Sequence, residues 1–178
     1  MRLLIYGFGP YRQFRDNVTE KILGGLPRRS GQNKIVFPVR FHKGQFLSAI
    51  KQYRPDVILG LGQCAHGGRL RVETQASNQR RNSQGEKARP ILLGGPRRLP
   101  TDLELALGRQ GKPSSKAGEY VCNYSMYIIL DFIQRHKLPI RFGFIHVPHR
   151  YDYKKAMGVV EKALDKIMMH REKVVKQR

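Results

Sequence analysis

Two residues in this chain have the types and local settings that thiol chemistry requires. Cys122 lies in Gly118-Glu-Tyr-Val-Cys-Asn, where Val121, Tyr124, Ile128, Ile129, Phe132 and Ile133 recur along one side and predict a helix from Val121 to His136. A thiol in the first turn of a helix feels the positive end of the dipole and unpaired backbone N–H groups, both of which favour thiolate. His146 sits near the end of the apolar run Ile140-Arg-Phe-Gly-Phe-Ile-His-Val147, a strand stopped by Pro148. In α/β folds, strand ends deliver side chains to the edge where sites are built. A cysteine at a helix start and a histidine at a strand end are the parts of a thiolate–imidazole pair. Glu73, in the alternating segment Leu70-Arg-Val-Glu-Thr-Gln-Ala, supplies a possible third member that would orient and charge the imidazole. Each has a plainer reading: Cys122 as a small buried hydrophobe, His146 as a core histidine bonded to backbone, and Glu73 as partner to a neighbouring cation. Arg71, two residues before Glu73, shares its strand face.

Other apparent motifs are weaker. Gly7-Phe-Gly-Pro10 follows a first strand, Leu3–Tyr6, as a phosphate loop would. The dinucleotide fingerprint needs a third glycine, but Arg12 stands in its place and Pro10 removes an N–H. Cys64-Ala-His66 lacks a second ligand pair at metal-binding spacing. No cofactor and no metal are expected.

The elements that must position these residues alternate along the chain. Asn17-Val-Thr-Glu20 reads as a helix start with Asn17 as N-cap and Glu20 in capping-box position. Ile35–Val39 reads as a strand whose Pro38 suggests an edge or a bulge. Phe46, Ala49, Ile50 and Tyr53 have helical spacing, and Val57–Leu61 is apolar throughout, as a central strand is. The stretch 78–98 is polar, glycine- and proline-rich loop, and 101–110 reads as a short helix capped by Thr101. Ala156, Val160, Ala163, Leu164 and Ile167 mark an amphipathic terminal helix with a basic outer face. Strands alternating with helices imply an α/β domain with a largely parallel sheet covered on both faces. No internal repeat or dividing linker is visible, so residues 1–178 are expected to form one domain.

Composition limits the function classes. The 178 residues carry 34 Lys+Arg against 13 Asp+Glu, a formal charge of +21, and 40% are hydrophobic. That apolar content excludes a disordered basic tail, and no apolar run reaches the length of a membrane span. The opening apolar run is too short for a signal-peptide core. Two cysteines are too few for a disulfide scaffold, so a reducing cytoplasm with free thiols is expected. The charge is concentrated. Arg80 to Arg98 holds six basic residues and one acid, and Arg150 to the end holds nine basic residues and four acids. Neither cluster contains Cys122, His146 or Glu73. Nucleic acid or an acidic partner is therefore a possible modifier of approach, not the favoured function.

Four stretches, in order, resemble pyroglutamyl peptidase I, the pyrrolidone-carboxylate peptidase family of cysteine peptidases. They are Gly7-Phe-Gly-Pro-Tyr11 with Asn17 after it, Gly62-Gln63 leading to Val72-Glu73-x-x-Ala76-x-Asn78, Ala117-Gly-x-Tyr-Val-Cys-Asn123, and Gly143-Phe-Ile-His-Val-Pro148. The resemblance spans about residues 1–150. It implies a three-layer α/β/α sandwich with a largely parallel, mixed central sheet, and removal of N-terminal pyroglutamate from peptides. Cys122 would be the nucleophile, His146 the general base and then acid, and Glu73 the residue orienting His146. Phe8 and Tyr11 would wall the lactam pocket, with Asn17 and Gln63 beside it. No cofactor or metal is implied, and a homo-oligomer is possible. The chain departs from the family pattern in three places. Arg12-Gln13 replace a flexible glycine pair, Ser83 stands where the family has an arginine implicated at the oxyanion, and the connection from Glu73 to Cys122 is shortened. Two other readings stay open: a relative whose altered pocket hydrolyses another small amide, and a basic binding protein using the fold without turnover.

Overall fold

The computed structural model describes residues 1–11, 14–83 and 85–175, with side chains described to Met169. Arg12 and Gln13, and the outer end of the terminal helix, therefore lie outside the described side chains. The chain runs β1 (Leu3–Phe8), α1 (Val18–Gly25), β2 (Gln32–Phe37), α2 (Lys43–Tyr53), β3 (Val57–Cys64), β4 (Leu70–Glu73), β5 (Gln75–Ser77), β6 (Arg98–Pro100), β7 (Gly111–Ser114), α3 (Val121–Arg135), β8 (Arg141–Pro148) and α4 (Tyr153–Val175).

Six strands form one sheet in the order β2-β1-β3-β8-β4-β7. Every pairing in it is parallel except β4 with β8. Helices cover both faces, as the alternation of elements requires: α2 and α3 on one, α1 and α4 on the other. The two apolar layers differ in kind. The α2–α3 side is aromatic, built on Tyr6, Phe8, Phe46, Phe142 and Phe144. The α1–α4 side is aliphatic, with Leu3, Ile5, Leu59, Ile145 and Val147 from the sheet against Ile22, Val160 and Leu164 from the helices. Period-two alternation in β8 sends Phe142, Phe144 and His146 to the first side and Ile145 and Val147 to the second.

Local expectations meet three corrections. Residues 101–110 form no α-helix: the chain is extended, with a single 3-10 turn at Gly108–Gln110. The backbone N–H groups of Asp102 and Leu103 donate to Phe142 O, and Asp102 Oδ1 accepts from Phe142 N at 2.7 Å. Docking on the start of β8, with Leu103 and Leu107 buried, overrides a marginal helix propensity. Second, the alternating run 70–76 is two strands. β4 stays in the main sheet, while β5 leaves it to pair antiparallel with β6. Third, the cap of α1 is Asn17, but its Oδ1 accepts from Thr19 N at 3.0 Å and from Thr19 Oγ1 at 2.8 Å, so Thr19 rather than Glu20 completes the cap. β2 ends before Pro38 and is an edge strand, in keeping with a residue that cannot donate to a ladder.

Candidate active site

The C-terminal ends of β1, β3 and β8 come together beneath the start of α3. His146 on β8 is flanked in register by Gly62 on β3 and by Arg71 on β4. Glu73 lies two residues along β4 on the same face. Its Oε1 is 2.8 Å from His146 Nδ1, and the two side chains are 0% and 3% exposed. A carboxylate accepting at Nδ1 fixes the tautomer with the proton there, leaving Nε2 as the basic nitrogen. Arg71 Nε stands 3.5 Å from the same carboxylate oxygen.

Cys122 is the second residue of α3, whose N-cap is Tyr120. The first intrahelical donor is Tyr124 N, bonded to Tyr120 O, so the preceding first-turn N–H groups have no intrahelical partner. Its sulfur sits over β3: a Cβ placed on Gly62 would come within 2.7 Å of Cys122 Sγ and 2.7 Å of the Phe144 ring. Gly62 thus leaves the space that seats the thiol beside the register position of His146. Asn123 holds the helix start in place, accepting from Ser77 N at 2.9 Å and donating to Ser77 O and Gln79 O at 2.9 and 2.8 Å. Tyr6 and Ser125 hydrogen-bond beneath it at 2.9 Å, and Ser125 Oγ donates to Cys122 O at 2.8 Å.

Burial governs the titration of the pair. It pushes the Cys122 thiol up to about 12, opposed by the Arg71 charge. It also holds the His146 imidazole below its usual value, against the Glu73 carboxylate, which favours the imidazolium. At neutral pH the resting pair is a thiol and a neutral imidazole, so a nucleophile must be made by proton transfer to His146 as it attacks.

A cavity of about 280 Å3 opens onto these groups. Phe8, Tyr11, Asn17, Gln63, Cys122 and His146 all line it, so the structure brings together every expected site residue except Glu73, which lies behind His146. Gln63 Oε1 accepts from Val18 N at 2.9 Å, while its buried Nε2 has no hydrogen-bond partner among the described residues. Asn17 is occupied by the fold: besides capping α1, its Nδ2 donates to Gly9 O at 3.0 Å. It shapes the loop carrying Tyr11. Ser83 and the arginines 80 and 81 do not line the cavity. Arg81 pairs instead with Glu119, Nε to Oε2 at 2.8 Å, and the Arg80 guanidinium lies over Phe41. Sequence reasoning missed Cys64, Lys116 and Tyr120 as lining residues, and took Arg71 only as a partner for Glu73. The shared strand face of Arg71 and Glu73 was the available signal for Arg71. For Lys116 no local signal exists. Among the described residues, no cluster of His, Cys, Asp and Glu could hold a metal ion, and no helix is long and apolar enough to cross a membrane.

Known proteins resemble this chain in sequence and in fold. The family model described as pyroglutamyl peptidase matches residues 1–170. A pyrrolidone-carboxylate peptidase of Oceanobacillus iheyensis is 33% identical over 170 residues, covering 83% of each chain. One from Staphylococcus saprophyticus is 33% identical over 168 residues, covering 83% of this chain and 78% of its own. Among solved structures, pyrrolidone carboxyl peptidase from Thermococcus litoralis superposes with a TM-score of 0.83 at 22% identity, covering 97% of this chain and 95% of that one. The shared fold extends through the sheet and both helical layers.

Proposed function

Because the chain belongs to the pyroglutamyl peptidase family, we propose that it is a cysteine-type omega peptidase that removes N-terminal pyroglutamate from peptides. The observation that carries this reading is the buried Glu73–His146 hydrogen bond facing a cavity that also holds Cys122. Pyroglutamate is a flat, uncharged lactam, and Phe8 and Tyr11 supply aromatic walls for it. The unpartnered Gln63 Nε2 supplies a donor for the lactam oxygen. Asn17 acts at one remove, by fixing the Gly9–Tyr11 turn.

As Cys122 Sγ attacks the pyroglutamyl carbonyl carbon, its proton passes to His146 Nε2. Glu73 stabilises the imidazolium that results. The carbonyl oxygen becomes an oxyanion, and the first-turn N–H groups of α3 are the donors placed to receive it. His146 then gives its proton to the peptide nitrogen as the C–N bond breaks, leaving a thioester on Cys122. Water, deprotonated by His146, attacks the thioester and releases pyroglutamate with the thiol restored. Both thiols are free in the fold, which suits a reducing compartment such as the cytoplasm.

The test is release of free pyroglutamate from a pyroglutamyl-amide substrate by the purified protein. Cys122→Ala should abolish it while leaving the fold intact. Equal rates from the two proteins would refute the reading.

A further inference from the structure

The strand order lays out the direction of a bound peptide. Reading across the sheet edge, Phe8 is on β1, Gly62 and Gln63 on β3 beneath Cys122, His146 on β8, and Arg71 on β4. With the lactam ring between the β1 loop and Gln63, the scissile carbonyl falls at Cys122 and the leaving nitrogen at His146. The residue after pyroglutamate then continues over β4, where Arg71 lines the cavity, with Lys116 from the segment between β7 and α3. The ion pair between Arg71 and Glu73 runs through Nε. Among the described residues, Glu73 is the one carboxylate that pairs with Arg71, and none pairs with Lys116. When His146 becomes an imidazolium, the single carboxylate of Glu73 faces two cations, His146 and Arg71, and Lys116 adds a third positive charge to the cavity wall. No carboxylate among the described residues lines this cavity.

Resting on the peptidase reading above, we propose that Arg71, with Lys116 beside it, receives a carboxylate carried by the residue that follows pyroglutamate. The preferred substrates are pyroglutamyl peptides with an acidic side chain at that position, or dipeptides whose terminal carboxylate lies there. Arg71 is a specificity-determining residue in this account, since its guanidinium has the fork geometry that suits a carboxylate. Lys116, which is exposed, contributes a more screened charge.

Three substrates separate the two sources of the carboxylate: pyroglutamyl-glutamate amide, pyroglutamyl-glutamine with a free terminus, and pyroglutamyl-glutamine amide, which has neither. At low ionic strength, kcat/KM for one of the first two should exceed that of the third by about tenfold, the size of one charge-assisted hydrogen bond. Arg71→Gln should bring that ratio close to one, Arg71→Lys should keep part of it, and added salt should shrink it. Lys116→Gln, at an exposed position, should lower the ratio about twofold by removing one screened charge. A ratio near one in the natural protein would overturn the proposal. So would an undiminished ratio in Arg71→Gln with all three rates falling together, because Arg71 would then only brace Glu73. Failure to turn over any of the three overturns the peptidase reading instead, and this inference with it.

Discussion

The two faces of the sheet each carry a cavity, and the larger one holds no nucleophile. On the α1–α4 side, a space of about 400 Å3 is lined by residues 102–106 together with Arg141, Ala163, Lys166 and Ile167. On the α2–α3 side, about 280 Å3 holds Cys122 and His146, with Glu73 behind them. Size therefore does not mark the site. What distinguishes the smaller cavity is that Gln63, His146 and Cys122 converge there at strand ends and a helix start, with His146 held by the buried Glu73. Asp102 and Glu104 in the other cavity lie on an extended segment, where Asp102 serves the backbone of Phe142. The same sheet supplies both faces, and helices on both begin at its carboxyl edge, but only α3 carries a cysteine in its first turn.

The largest effect that would break this contrast is at Gly62. A methyl group there would meet Cys122 Sγ and the Phe144 ring, each at 2.7 Å; the buried Phe144 ring cannot retreat through a packed layer, and the thiol can yield only by leaving its seat over β3. Gly62→Ala should lower kcat by at least about a hundredfold, as misplacing a reacting group by an ångström does. Retained activity would show that the thiol is not seated over β3. Next is the Glu73–His146 pair. In Glu73→Gln the imidazolium loses its carboxylate, and kcat should fall by about 10² to 10⁴.

The pH profile sharpens the same point, and its sign follows from burial. His146 must be neutral to accept the thiol proton, and its pKa is held below the ordinary value. The acid limb of kcat/KM should therefore lie below pH ~6.5. Since Glu73 opposes the lowering, Glu73→Gln should move that limb to lower pH still. A limb above the ordinary histidine range would contradict the assignment. The smallest effect on catalysis belongs to the other face. Ile167→Ala, in the aliphatic layer, should cost about 2 kcal/mol in denaturant unfolding, with kcat/KM of the folded enzyme unchanged.

Much of the site was legible because its parts carry local signatures. A cysteine just inside a periodic apolar segment, and a histidine closing an apolar run before proline, declare a helix start and a strand end without tertiary information. Glu73 showed itself through alternation. The losses came where partners lie far along the chain. Gly111-Lys-Pro-Ser114 has little strand propensity and becomes β7 because β4 offers it an edge. Residues 101–107 have leucines at 103, 105 and 107, a spacing compatible with extended chain, and capture by Phe142 decided the outcome. At Thr74 the chain changes sheets without any break in its alternation, since Thr74 N still bonds to Ser114 O at 2.7 Å. Lys116 enters the cavity because the segment before α3 folds over the sheet edge, a placement that no pattern in residues 115–120 encodes.

The central claim is that Cys122, and not the neighbouring Cys64, attacks the substrate with His146 as its base. Both thiols line the cavity, and burial raises both, so reactivity must be read from the product. The decisive measurement is acid quenching during turnover of an activated pyroglutamyl ester, followed by peptide mass spectrometry. The account predicts one pyroglutamyl group on the peptide containing Cys122, with the label lost in Cys122→Ala and kept in Cys64→Ala. A label on Cys64, or turnover with Cys122 absent, would contradict it.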